Sequence, residues 1–422
     1  MNYERNDTKM LKNRLQKIYV IMIFLLIFLF CNVITLNTYA ANEPTVSAGS
    51  AILMDNRTNK VLYSKNEDTK MFPASTTKIM TAIITLENCS LDEQATASFD
   101  AVNIPEGYAT ADIKIGETFT VEQLLEMLLV HSANDAANVL AEHVGGSLES
   151  FVSIMNTKAS ELGLTNSHFT NAYGLQDNNH YTTARDLATI MKYCLQNENF
   201  RRICGLASCA IPATNMSEPR TYSSTNQLVI AGNNNYYPYV TTGKTGFTSD
   251  AKHCLVSSAY NNDLELICVV LGSEDHFGDT RAIYNYAYST YSIKDIVKEN
   301  DTVTTISVKN ASYNTKNLDL VVSEDIPALV SNSVDINSIE PQISLKENIE
   351  APIEKGSVLG RVTYSVEGVN YTTDLIAFSN VEKTRLPIYI FMGIIILVIL
   401  LIVLITIIIR NKRNKNIELL DE

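Results

Sequence analysis

The stretch Phe72-Pro73-Ala74-Ser75-Thr76-Thr77-Lys78-Ile79-Met80 decides how this chain is read. It sets a hydroxyl and an amine three residues apart, where an apolar run with helical spacing begins (Ile79, Met80, Ala82, Ile83, Ile84, Leu86). Pro73 stands just ahead of it, where a helix tolerates proline. Positions i and i+3 of a helix share a face. The Lys78 amine can then take the proton of the Ser75 hydroxyl and make it a nucleophile. The same spacing recurs at Ser249-Asp250-Ala251-Lys252. That copy opens a strand-like segment, where i and i+3 point to opposite faces, so it is read as coincidence.

Working outward, Ser50–Asp55 and Lys60–Tyr63 read as strands joined through Asn56-Arg57-Thr58-Asn59. Ala111–Phe119 reads as strand and turn. A helix is expected over Val121–Val130 with Thr120 as N-cap. Further helices are expected over Ala136–His143, Val152–Leu162 and Ala184–Leu195, the last capped by Thr183. Three strands follow in succession: Val240–Thr248, His253–Tyr260 and Leu264–Gly272. A closing helix is expected over Thr280–Ser292. Strands, helices, strands, helix is an α+β order in which the first and last strands can share one antiparallel sheet. After Ile293 the texture turns to Val, Thr, Ser, Asp and Asn. Thr302–Val308, Leu318–Val322 and Val358–Val366 read as strands of a separate small all-β domain over 293–380.

The chain has 422 residues, 46% of them hydrophobic and 19% charged. A sizeable core is affordable, and the composition argues against global disorder. A net charge of −13 argues against a nucleic-acid partner. The first 17 residues carry Arg5, Lys9, Lys12, Arg14 and Lys17, then an apolar run ends in Thr38-Tyr39-Ala40-Ala41. This is the layout of a secretory signal peptide over 1–40; the other reading is an uncleaved anchor. Cys31 lies in the run without the small residues of a lipoprotein signal. Ile388–Ile409 carries no charge, about the ~20 residues that cross a bilayer as a helix. Arg410, Lys412, Arg413 and Lys415 follow, which puts the tail 410–422 in the cytoplasm and the stretch between the two apolar runs outside the cell. Six cysteines remain in the exported part. Cys204 with Cys209 and Cys254 with Cys268 can pair; buried free thiols are the other reading. No CxxC or HExxH spacing appears, so no metal and no cofactor is expected.

Three elements occur in order: Ser75-x-x-Lys78, Ser132-x-Asn134 and Lys244-Thr245-Gly246. Ser224-Thr225-Asn226 also fits the second. Together the three resemble the signature of class A β-lactamases and penicillin-binding proteins. Each part has a physical use. A lysine of ordinary pKa, about 10.4, is protonated and cannot act as a base. Desolvation or a neighbouring cation such as Lys244 must neutralise Lys78. Lys244 and Thr245 can hold a substrate carboxylate. Gly246 lets a substrate backbone approach the strand. Ser132 can relay a proton, and Asn134 can hydrogen-bond a substrate amide. The N–H groups of Ser75 and Phe247 are the natural oxyanion hole.

Longer segments strengthen the likeness: Phe72–Ala82, Leu128–Ala137, Glu161–Phe169 with Gly174-Leu175, His180–Leu187, and Ala351–Gly360. On these the chain resembles the low-molecular-mass penicillin-binding proteins that are D-alanyl-D-alanine carboxypeptidases, over roughly residues 45–380. The resemblance implies a catalytic domain over 41–292 of the penicillin-binding/β-lactamase type, an antiparallel sheet with a helical cluster. It implies release of the terminal D-alanine from peptidoglycan stem pentapeptides through an acyl-enzyme, and acylation of Ser75 by β-lactams. Departures are Thr241-Thr242-Gly243 ahead of Lys244, Phe247 where Tyr or His is common, and Lys252-His253 in place of a glycine-containing pair.

Three other readings stand beside this one. A DD-endopeptidase shares the same motifs. A class A β-lactamase needs a deacylating glutamate in a Glu-x-x-x-Asn segment, and none stands between the second and third motifs. A membrane-anchored penicillin sensor needs an inward signalling domain, and only about a dozen residues follow the apolar run. A Ser-His-Asp triad is not favoured, because none of the six histidines has an obvious partner spacing.

Overall fold

The structure, a computed structural model, describes residues 42–418. The expected signal segment over 1–40 and the last residues of the tail, 419–422, lie outside the described residues.

β1 (Ser50–Asp55) and β2 (Val61–Lys65) form the expected hairpin. β3 (Val240–Thr248), β4 (Lys252–Asn261) and β5 (Leu264–Ser273) follow much later in the chain. All five join one antiparallel sheet in the order β2-β1-β5-β4-β3. The period of two along each strand divides its side chains between two cores. Ile52, Met54, Val256, Ile267 and Val269 face the helical cluster. Ala51, Leu53, Leu255, Leu266 and Val270 face the closing helix. Each of the Val, Leu, Ile and Met side chains among them contributes about 1.5–3 kcal/mol by leaving water.

The helical cluster holds α1 (Lys78–Asn88), α2 (Val121–Glu126), α3 (Asn134–Gly145), α4 (Leu148–Glu161) and α5 (Ala184–Cys194). Every residue of α1 from Lys78 to Thr85 is buried. A helix enclosed on all sides is the centre of its domain. Thr120 caps α2 in a capping box with Gln123, and Thr183 caps α5 by accepting from Asp186 N. Such caps contribute about 1 kcal/mol each.

Several expected boundaries change. The helix expected over Val121–Val130 ends at Glu126 and widens into a π-turn over Met127–His131. It stops at Ser132, whose φ of 69 is left-handed. Ala111–Phe119 is strand only at its end, where Thr118–Thr120 pairs with Gln94–Thr96. The reason is Asp135, whose buried carboxylate accepts the Ala111 and Ile113 N–H groups that a sheet would have used. The closing helix α6 is His276–Thr290, one turn earlier than expected, because the Asp275 side chain caps it by accepting from Gly278 N at 2.9 Å. All six cysteines among the described residues are free. Cys254 and Cys268 cannot pair because they lie in the two different cores, on opposite faces of the sheet.

A β domain follows. Tyr291–Val297 pairs with Ile326–Ser331. β6 (Thr302–Ser307), β7 (Asn317–Val322), β8 (Pro341–Leu345), β9 (Val358–Val366) and β10 (Val369–Ala377) form an antiparallel sheet ordered β6-β7-β10-β9-β8. The last described element is α7 (Leu386–Glu418). Its segment Pro387–Arg413 is long and apolar enough to cross a membrane.

Candidate active site

The site is built where α1, the π-turn and β3 meet. Ser75 lies in a 3₁₀ turn, Ala74–Thr77, that runs directly into α1. The threonines that follow it brace this turn. Thr76 Oγ1 donates to Pro73 O at 2.7 Å and Thr77 Oγ1 to Ala74 O at 2.9 Å. Ala74 has φ 46, a left-handed conformation that costs an alanine energy and holds only if the surroundings enforce it. Gly174 enforces it from below: a Cβ there would stand 1.8 Å from Ala74 O. Asn171 Oδ1 in turn pins that loop by accepting from the N–H groups of Gly174 and Leu175 at 2.7 and 2.8 Å.

Lys78 Nζ lies 2.9 Å from Ser75 Oγ, 2.7 Å from Asn134 Oδ1 and 3.0 Å from Tyr173 O. The side chain is fully buried. Burial pushes its pKa well below the ordinary lysine value, the Lys244 charge pushes the same way, and Asp135 opposes both. Lys244 projects from β3 and is also fully buried. Its Nζ donates to Ser132 Oγ and to Thr245 O, each at 2.9 Å. Burial pulls its pKa down to about 7. The nearby Cys204 thiol gives it little support, because burial raises that thiol to about 11 and leaves it neutral.

The structure therefore brings together all eight residues that the sequence singled out. Ser75, Ser132, Thr245, Gly246 and Phe247 line one cleft of ≈ 320 Å³. Lys78, Asn134 and Lys244 lie behind it in the network just described. Gly246 passes so close to Ser75 that a Cβ on it would stand 2.9 Å from Ser75 N. Phe247 sits at the rim, 61% exposed, with its ring against His253. The second Ser-x-x-Lys copy is a surface turn: Lys252 has φ 55 and pairs with Glu274.

Other residues of the site carried weaker signals. Thr225 lines the cleft and accepts from Thr245 Oγ1 at 2.7 Å. It belongs to Ser224-Thr225-Asn226, the surplus match to the second motif. His180 is buried behind the Ala74–Thr77 turn with its Nε2 2.9 Å from Thr77 Oγ1. Its Nδ1 accepts from Thr170 N, so its proton sits on Nε2 and points at Thr77. Burial lowers its pKa to about 4 and keeps it neutral. His131 also reaches the cleft, but its ring packs on Tyr222 and its Nε2 meets Thr110 O.

Comparison with known proteins identifies the family. A family model described as D-alanyl-D-alanine carboxypeptidase matches residues 37–275, and one described as the penicillin-binding protein 5 C-terminal domain matches 291–383. The chain is 34% identical over 335 residues to D-alanyl-D-alanine carboxypeptidase DacF of Bacillus subtilis, covering 78% of this chain and 84% of that protein. It is 30% identical over 381 residues to DacC of Escherichia coli, covering 85% and 90%. A crystal structure titled as PBP3 of Streptococcus pneumoniae superposes with a TM-score of 0.65 at 24% identity, covering 80% of this chain and 100% of that one. Sheet, helical cluster and trailing β domain are thus the fold of a low-molecular-mass penicillin-binding protein. The chain belongs to the D-alanyl-D-alanine carboxypeptidase family.

Proposed function

We propose that this chain is a serine-type D-Ala-D-Ala carboxypeptidase with Ser75 as nucleophile and Lys78 as its base. The observation that carries the assignment is the buried Lys78 amine, 2.9 Å from Ser75 Oγ. Among the described residues no carboxylate is bonded to it. A neutral amine has two N–H bonds and one lone pair. The N–H bonds go to Asn134 Oδ1 and Tyr173 O, and the lone pair faces the Ser75 hydroxyl.

Ser75 Oγ bonds to the carbonyl carbon of the penultimate D-alanine as its proton passes to Lys78. The N–H groups of Ser75 and Phe247 take up the oxyanion. Collapse breaks the C–N bond, and the terminal D-alanine leaves with a proton relayed through Ser132 from the lysines. Water then cleaves the Ser75 ester and restores its hydroxyl. Lys244 and Thr245 hold the substrate carboxylate, Gly246 gives the substrate backbone its space, and the Asn134 amide group binds a substrate carbonyl. The substrates are peptidoglycan stem peptides ending in D-Ala-D-Ala. β-Lactams acylate the same serine.

The apolar segment of α7 anchors the enzyme. The cations behind it keep the tail inside, so the catalytic domain faces outward. Removal of residues from 385 onward releases active, soluble protein if the N-terminal segment is cleaved. Protein that stays in the membrane would mean that segment is a second anchor.

The test is D-alanine release from a D-Ala-D-Ala pentapeptide by the full chain in detergent. Rapid penicillin turnover without D-alanine release would sink the assignment. A D-alanyl-D-alanine endopeptidase of Escherichia coli is 32% identical over 247 residues. Cross-linked dimeric peptides supplied in the same assay show whether interior bonds are cut as well.

A further inference from the structure

Away from the cleft, three donors of different chemistry meet: the Cys89 thiol, the Glu93 carboxylate and the His143 imidazole. Their ligand atoms all lie within 4.8 Å of one another. We propose that they bind one Zn²⁺, with water in the fourth position.

Each donor comes from a fixed element. Cys89 is the C-cap of α1, and His143 lies in the last turn of α3. Glu93 immediately precedes the strand Gln94–Thr96. His143 Nε2 stands 3.3 Å from Glu93 Oε2. A tetrahedron with bonds of about 2.0–2.1 Å to nitrogen and oxygen has an edge of about 3.3 Å. The other Glu93 oxygen accepts from Ser90 N at 2.6 Å, which fixes the carboxylate and leaves Oε2 for the shared position. Cys89 is only partly buried, whereas the other five cysteines among the described residues are buried. It is therefore the thiol that an ion from solvent can reach.

The donor set selects the metal. Sulfur with imidazole suits zinc, while calcium and magnesium want oxygen alone. On binding, Cys89 gives its proton to solvent and bonds as thiolate. His143 offers its Nε2 lone pair and carries its proton on Nδ1. No electrons are transferred. The ion clips together the C-terminal ends of the helices whose first residues are Lys78 and Asn134. About 16 Å of helix separates it from Lys78, so it braces the frame of the site and takes no part in acyl transfer. The sequence could not display it. A cysteine, a glutamate four residues on and a histidine fifty further match no ligand spacing.

The test titrates the chelator-treated full chain in detergent with Co²⁺ and then with Zn²⁺. One Co²⁺ per chain should bind with a thiolate-to-cobalt charge-transfer band in the near ultraviolet, and Zn²⁺ should erase that band. Cys89→Ser should lose the band. Cys89→Ser and His143→Ala should each weaken Zn²⁺ binding by more than the roughly 10-fold that loss of an outer partner costs. Labelling of both variants by a fluorescent penicillin should match that of the parent. Absence of the band in the parent, or Zn²⁺ affinity unchanged in the two variants, would overturn the proposal.

Discussion

Gly246 meets Ser75 across a gap too small for a methyl group: a Cβ on the glycine would stand 2.9 Å from the serine amide nitrogen. The same atom would stand 3.0 Å from Pro73 O and 3.1 Å from Ala74 Cβ, so backbone on both sides would have to move. Gly246→Ala should therefore push β3 off the nucleophile turn without unfolding the domain. Acylation by penicillin should fall on the order of 100-fold, the scale set by a misplacement of about 1 Å. Stopped-flow acylation rates beside a thermal melt check this. An unchanged rate would mean the strand does not set the geometry.

The Ala74–Thr77 turn rests on a glycine that has no room for a side chain. Gly174 and Gly107 both have positive φ, +89 and +87. A Cβ at Gly174 collides with Ala74 O, and one at Gly107 meets nothing within 4 Å. Gly107→Ala should cost about 1 kcal/mol or slightly more, the price of the backbone conformation alone. Gly174→Ala should cost roughly 3 kcal/mol or more and abolish penicillin labelling, because it displaces the strained residue before the nucleophile. Denaturant melts of the two variants separate the effects.

The lysine pair governs the pH profile. On the proposed mechanism, acylation needs Lys78 neutral and carboxylate binding needs Lys244 charged. Burial lowers both amines; at Lys78 the Lys244 charge adds to the lowering and Asp135 opposes it. The profile of kcat/KM for a peptide substrate should be bell-shaped. Its alkaline limb should begin near pH 7, where Lys244 titrates. A rate that keeps rising to pH 10 would show that Lys78 behaves as an ordinary lysine.

The same shift has a stability consequence. The Lys244 pKa is about 7 in the folded chain and about 10.4 unfolded. Between these values the unfolded chain binds more protons, so stability from this residue is complete above about 10.4 and is lost as pH falls to about 7. Lys244→Met should then be more stable than the parent at pH 7, by roughly 1–4 kcal/mol, while losing acylation. The gap in Tm should narrow as pH rises toward 10. A variant less stable than the parent at pH 7 would mean that the bonds to Ser132 and Thr245 outweigh desolvation.

Much of this was legible in the sequence because the relevant residues announce themselves locally. The apolar run behind Lys78, the caps Thr120 and Thr183, and the alternation in β4 and β5 depend on near neighbours. What the sequence hid depends on partners far along the chain. Ala111–Lys114 is irregular because Asp135, some twenty residues on, takes its N–H groups. The π-turn ahead of Ser132 sets the hydroxyl that Lys244, 112 residues on, donates to. Thr225 was visible only as a surplus motif until Thr245 was placed beside it. The lysine shifts are burial effects, and no local pattern states burial.

The central claim is that Ser75 is the residue acylated, and mass spectrometry of the penicillin-labelled peptide tests it most directly. The account predicts one adduct, on the peptide carrying Ser75, and no labelling of Ser75→Ala. An adduct on the peptide carrying Ser132 or Ser249, or labelling retained by Ser75→Ala, would contradict it.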